Sequence, residues 1–225
     1  MGLVVWCGEA RLVKFVRAML SARVHALVLA VGLVATAASL TVWPVVAAVS
    51  SGTDEEAKLP YWEIADHGAS IRFVQRLPDQ TRGFFQARGF SVADSELIAQ
   101  SCVFQAVFKN ISPPSDPSPV EYNLRDWVVH AVGVRRSLKT REDWQKEWIA
   151  RKAPQAAQLA FEWSLLPTRQ SYRPGDYNWG MTIFGLKPGA EFDLDVVWQQ
   201  DGRKHTAHLK GVRCAPDVHL KPGDL

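Results

Sequence analysis

Residues 192–209 read FDLDVVWQQDGRKHTAHL. Phe192, Leu194, Val196 and Trp198 alternate with Asp193, Asp195, Val197 and Gln199, the period of a strand with one buried face. Asp201-Gly202 is the sequence of a two-residue type I′ turn. Closing the chain there pairs Gln200 with Arg203, Trp198 with His205, Val196 with Ala207 and Leu194 with Leu209, all on the inward face. The outward face then sets Asp195 against His208 and Asp193 against Lys210. Continued without change, this register turns Cys214 away from the core. A bulge near Gly211 would bring Val212 and Cys214 inward.

Upstream, the same period runs through Cys102, Phe104, Ala106 and Phe108, with Val103, Gln105, Val107 and Lys109 on the opposite face. Asn110–Pro119 contains four prolines and reads as a loop. Trp127–Val134 is apolar on both faces except for His130, which predicts a central strand. Thr140 with Asp143 makes a capping-box-like start to a short helix, and Trp144 and Trp148 share one side of it. Gln158–Leu166 and Met181–Leu186 read as further strands. Between them, residues 167–180 (PTRQSYRPGDYNWG) form a loop that concentrates Arg169, Tyr172, Arg173, Asp176, Tyr177, Asn178 and Trp179. Polar and aromatic side chains gathered between rigid flanks make this loop the candidate binding surface. Before the strands, residues 78–101 predict a helical hairpin, with Asp79 and Ser91 as caps and Gly89 as a C-terminal stop.

The chain also carries an uncharged apolar run, Ala26–Val49, 24 residues long. That is enough to cross about 30 Å of hydrocarbon as a helix. Arg11, Lys14, Arg17 and Arg23 precede it, and Asp54, Glu55 and Glu56 follow it. By the positive-inside rule residues 1–25 stay in the cytoplasm and the rest is carried across. The run is either a retained anchor or a cleaved secretory signal. Val45-Val46-Ala47 and Val46-Ala47-Ala48 offer small-residue cleavage sites, whereas its length exceeds the usual apolar core of about 7–15 residues. Met19 begins a more compact signal sequence than Met1 does.

The formal charge of +3 belongs to residues 1–25, and the remaining chain carries 22 ionisable cations and 22 acids. The exported part thus has no basic excess, which argues against a nucleic-acid partner. Of the three cysteines, Cys7 precedes the run, while Cys102 and Cys214 follow it and read as one disulfide formed in an oxidising compartment.

Nucleophile-elbow, Walker and dinucleotide glycine motifs are absent, as is C-x-x-C. His205 and His208 have an H-x-x-H spacing but point to opposite faces of a strand, so they cannot share an ion. Cys102, Met181 and His130 are the weak metal-site candidates, giving a periplasmic copper carrier as the rival reading. No cofactor is expected.

Together these features predict an α+β chain. Residues 1–25 are a cytoplasmic basic flank, 26–49 a transmembrane or signal helix, 50–60 a linker and 61–101 a mainly helical segment. Residues 102–215 are an antiparallel β-sandwich with one inserted short helix, and 216–225 a tail. Across residues 102–214 the short alternating strands and distant cysteine pair resemble immunoglobulin-like sandwiches in general, a likeness of architecture. The expected function is a noncatalytic binding or assembly protein of the periplasm or inner membrane, with another protein as partner. Membrane contact would run through residues 26–49 if they are not cleaved.

Overall fold

A computed structural model describes residues 48–218. The apolar run up to residue 47, Cys7, the choice between Met1 and Met19, and the tail from residue 219 lie outside the described residues. Among the described residues no helix is long and apolar enough to cross a membrane.

The architecture is α+β: two antiparallel sheets and four helices, with sheet predominating. The first sheet has the order β1 (Ala48–Thr53), β2 (Pro60–Asp66), β3 (Ala69–Gln75), β4 (Val103–Asn110) and β9 (Tyr177–Ile183). The second is built on β10 (Glu191–Gln200), with β11 (Arg203–Arg213) along one edge. The other edge of β10 carries β6 (Val128–Ala131) opposite Phe192–Asp195 and β5 (Val120–Asn123) opposite Trp198–Gln200. Outside these lie β7 (Val134–Ser137) on β6 and β8 (Arg169–Tyr172) on β5.

The β10–β11 hairpin has the register expected from its alternation, from Gln200 opposite Arg203 through Leu194 opposite Leu209. Asp201 and Gly202 have φ of 52° and 69°, the left-handed pair that a type I′ turn requires. The register then slips between Phe192 and Leu194, so that Phe192 faces Val212 and the Gly211 amide donates to Asp193 Oδ1. This bulge turns Cys214 inward, where it is bonded to Cys102 across a separation of 112 residues. Asp195 does face His208, whereas the slip removes the direct pairing of Asp193 with Lys210.

Two apolar cores follow from strand alternation. Ile71, Phe73, Phe104 and Phe108 face the second sheet and pack with Tyr122, Trp127, Leu194 and Trp198. On the opposite face of the first sheet, Val103, Met181 and Ile183 are covered by helices. These are α1 (Pro78–Gln86), α2 (Val92–Ala99), α3 (Arg141–Ala150) and α4 (Gln155–Ser164), which contribute Phe85, Ile98, Trp148 and Phe161 to that second core. Trp144 and Trp148 stack with ring centroids 5.2 Å apart and are buried there. The helical hairpin forms as expected. Ser91 Oγ accepts from the Asp94 amide as its cap, but the first helix is capped at Leu77 rather than Asp79.

Several expectations are corrected. Residues 50–60 are not simply a linker, since Ala48–Thr53 pairs with β2 along its whole length. Residues 61–101 open with the two strands β2 and β3. Trp127–Val134 is not one central strand: Gly133, at φ 69°, turns the chain between β6 and β7, and Val132 at the turn is fully exposed. Gln158–Leu166 falls largely in α4, which makes two inserted helices rather than one. Residues 167–180 contain β8 and the first four residues of β9, separated by a turn. The tail is docked as far as Asp217, whose carboxylate accepts from Arg82 Nη2 (2.6 Å) and Gln100 Nε2 (2.6 Å).

Candidate ligand groove

The helices cover only one end of the outward face of the first sheet. In cross-strand register, that face next carries Tyr61, Val74, Gln105 and Met181, and then Glu63, Arg72, Val107 and Trp179. Above Arg72, Val74, Gln105 and Val107 lies an open groove of about 640 Å³. The β1–β2 turn contributes Asp54, Glu56 and Leu59 to its lining, the end of β3 contributes Gln75 with Arg76 just after it, and the first turn of α1 contributes Gln80.

The turn is well fastened. Asp54 Oδ1 accepts from the amides of Glu56 and Ala57, and the Asp54 amide donates to Leu59 O at 2.8 Å. The Ala57 hydrogen bond, outweighing partial burial, together with nearby Arg72, holds the Asp54 carboxyl below its ordinary pKa. Arg72 is itself neutralised. It donates to Asp54 Oδ2 (2.8 Å) and Glu63 Oε2 (3.3 Å), and its guanidinium lies 3.7 Å over the Tyr61 ring.

Arg76 differs. Among the described residues no carboxylate lies within ion-pair reach of it. Its Nε is buried without a hydrogen-bond partner, and Nη2 has only the Gln80 carbonyl at 3.3 Å. Its guanidinium lies 4.8 Å from the Phe84 ring, and that of Arg88 lies 3.3 Å from the same ring. Burial, then the charge of Arg88, lowers the Arg76 pKa from its ordinary value. Such a cation gains from any anion placed beside it.

The structure divides the residues expected to form one binding loop. Tyr172 is 1% exposed, stacked on Phe108 with its hydroxyl 3.4 Å from that of Tyr122, so it is a core residue. Asp176 Oδ2 accepts from the Arg173 amide and shapes the turn, where Arg173 is exposed. Asn178 donates to Gln170 Oε1, and its Oδ1 accepts from the Trp179 amide. Arg169 is exposed on β8, in the second sheet. Tyr177 and Trp179 are 64% and 62% exposed and stand on the outward face of the first sheet, opposite Lys109 and Val107. Trp179 therefore shares its face with the groove, and Val107 belongs to both.

The metal candidates do not meet. Cys102 is in a disulfide within the core between the sheets, Met181 lies under the helices, and His130 is partly exposed with Nε2 2.8 Å from Asp195 Oδ2. A bonded cysteine has no thiolate to offer an ion. His208 Nδ1 lies 2.6 Å from the other Asp195 oxygen. Among the described residues no group of three or more His, Cys, Asp or Glu side chains is placed to hold a metal.

Sequence reading passed over Arg76. Arg72 and Arg76 stand four residues apart in IRFVQR and so project from one side of an extended segment, which was the available signal. No known protein family, curated protein or solved structure matches the chain.

Proposed function

We propose that the chain is a noncatalytic binding or assembly protein acting outside the cytoplasm, in bacteria in the periplasm. Its contact surface is the open part of the outward face of the first sheet, and its partner is another protein there or at the membrane. The observation that carries this reading is the juxtaposition on one face of exposed Tyr177 and Trp179 with a groove containing an unneutralised arginine. Exposed aromatic side chains on the same face as a part-buried, unpaired arginine have the composition of protein contact centres. Export is supported by the cations preceding Ala26–Val49 and by the Cys102–Cys214 bond, which suits an oxidising compartment. The run would either hold the domain at the inner membrane or be removed.

Co-purification from native membranes tests the contact surface. The double variant Tyr177→Ala, Trp179→Ala is expected to lose partners that the unaltered protein retains, with its melting temperature unchanged. Trp163→Ala, which alters a residue 78% exposed on α4, is expected to keep them. Equal retention by all three proteins would remove this face from the proposal. Digestion of the domain by protease added to intact spheroplasts is the expected result for export, and protection would overturn it.

A further inference from the structure

The groove contains its own selection rule for ligands. The Nε of Arg72 and that of Arg76 are both buried without a partner, but the charge of Arg72 is already paired with Asp54 and Glu63, whereas among the described residues Arg76 has no acid in ion-pair reach. Three glutamines accompany Arg76 in the lining, and the amide nitrogen of Gln75 is already engaged, donating to Arg213 O at 2.7 Å. Gln80 uses its Oε1 to accept from the Leu77 amide, which turns its nitrogen to other use. Gln105 Nε2 makes only a long contact, 3.4 Å, to Gly180 O. Next to these donors the floor is apolar, from Val74 and Val107. The β1–β2 turn then brings Asp54 and Glu56 into the same lining, and Glu56 is exposed with no cation in ion-pair reach among the described residues.

The lining therefore carries two arginines and two carboxylates. A dianion such as phosphate would gain Arg76 but would also meet the two acids of the turn. A singly charged carboxylate with an apolar body and a cationic far end meets each part of the groove with its complement. The volume, about 640 Å³, lies in the range of small-ligand sites.

From this geometry we infer that the groove binds a short peptide by its C-terminal end. The carboxylate is held by Arg76 with Gln80 and Gln105, the side chains lie over Val74 and Val107, and the amino end faces Glu56. This inference rests on the reading of the outward face as the contact surface and specifies the chemistry it takes.

The test is calorimetric titration of the full-length chain with the tripeptide Ala-Leu-Phe in three forms: both ends free, amidated at the C-terminus, and acetylated at the N-terminus. Inorganic phosphate and octanoate are titrated as separate arms. Amidation is expected to weaken binding roughly tenfold to a hundredfold, the size of a lost charge-assisted hydrogen-bond pair. Arg76→Gln is expected to erase the difference between acid and amide, and Arg76→Lys to retain part of it. Glu56→Gln is expected to erase the preference for a free amino end while leaving the acid–amide difference.

Equal binding of acid and amide overturns the inference, as does binding of phosphate or octanoate as tight as that of the free peptide. Absence of binding by every form to the unaltered protein overturns it too. The acid–amide comparison needs no variant, so it decides the matter even if Arg76→Gln fails to fold. If the peptides fail while partner capture still depends on Trp179, the ligand class falls and the contact surface stands.

Discussion

Gly180 on β9 lies directly against the backbone of Leu166: a methyl group added at Gly180 would stand 2.4 Å from the Leu166 nitrogen. The contact is fixed from both sides, because the Leu166 amide donates to Met181 O at 3.1 Å and Leu165 bridges to Met181 in parallel. It couples the exit of α4 to the strand that carries Trp179. Gly180→Ala should therefore cost roughly 1–3 kcal/mol through overpacking against main chain that cannot turn aside. Urea unfolding checks this, and an unchanged midpoint would mean that the α4–β9 junction yields freely.

The Cys102–Cys214 bond closes a loop spanning a sequence separation of 112. Loop-closure entropy predicts a loss of about 4–5 kcal/mol when both cysteines are replaced by alanine. Thiol titration of the denatured, unreduced protein should find no thiol from either residue. Recovery of two such thiols would show that the bond is not formed in the native protein.

His205 stacks on His67 with centroids 4.2 Å apart and on Trp198 at 5.7 Å. Burial first, and then the neighbouring His67 ring, holds its pKa below the ordinary 6.5, against the opposing pull of Asp66. The unfolded chain thus binds this proton more readily than the folded one. The stabilising contribution is complete above pH 6.5 and is lost as pH falls below that value towards the folded pKa. His205→Gln should flatten the dependence of melting temperature on pH in that interval. A slope as steep as that of the unaltered protein would assign the effect elsewhere.

Arg82 gathers three acids from separate parts of the chain: Asp79 at 2.7 Å, Glu96 at 2.5 Å and Asp217 at 2.6 Å. Its side chain is 13% exposed, and its pKa is raised, chiefly by the hydrogen bond to Asp217. Arg82→Gln should cost roughly 2–3 kcal/mol and open the segment around Asp217 to protease. The hydrogen bond from Arg82 also lowers the Glu96 pKa below 4.5, so its contribution is present above that pH and lost below it. Unaltered proteolysis of the variant would show that other contacts hold the segment.

The strongest sequence signals were those in which turn chemistry and alternation agreed. The Asp201-Gly202 turn fixed the register of β10 and β11, and the need to bury Cys214 located the bulge. The α4 segment was misread for a physical reason. Ala157, Leu159, Phe161, Trp163 and Leu165 alternate with Gln158, Ala160, Glu162 and Ser164, which imitates a strand. In the helix only Ala157 and Phe161 of that series are buried, four residues apart, while Leu159 and Trp163 are 47% and 78% exposed; Leu165, also buried, follows the helix in extended conformation. Between β6 and β7 a run that is apolar except for His130 concealed a turn because its valines are apolar whether buried or exposed.

The site was legible in part. Tyr177 and Trp179 stood out by composition, and the structure leaves both exposed on one face. Tyr172 had the same composition and went into the core. The distinguishing quality of Arg76 is that among the described residues no acid reaches it, which depends on how β3, α1 and the β1–β2 turn assemble rather than on its neighbours in the sequence.

The downstream position of Cys214 and Asp217 sets the order in which the domain can be completed. Cys102 waits for a partner 112 residues later, and Arg82 for one 135 residues later. A ribosome releases this chain from its N-terminal end, so β3, β4 and the α1–α2 hairpin emerge long before β10 and β11 can cover Phe73, Phe104 and Phe108. During that interval an aromatic-rich sheet face stands bare. That face is covered only when β10 and β11, the last strands of the described chain, pack across it.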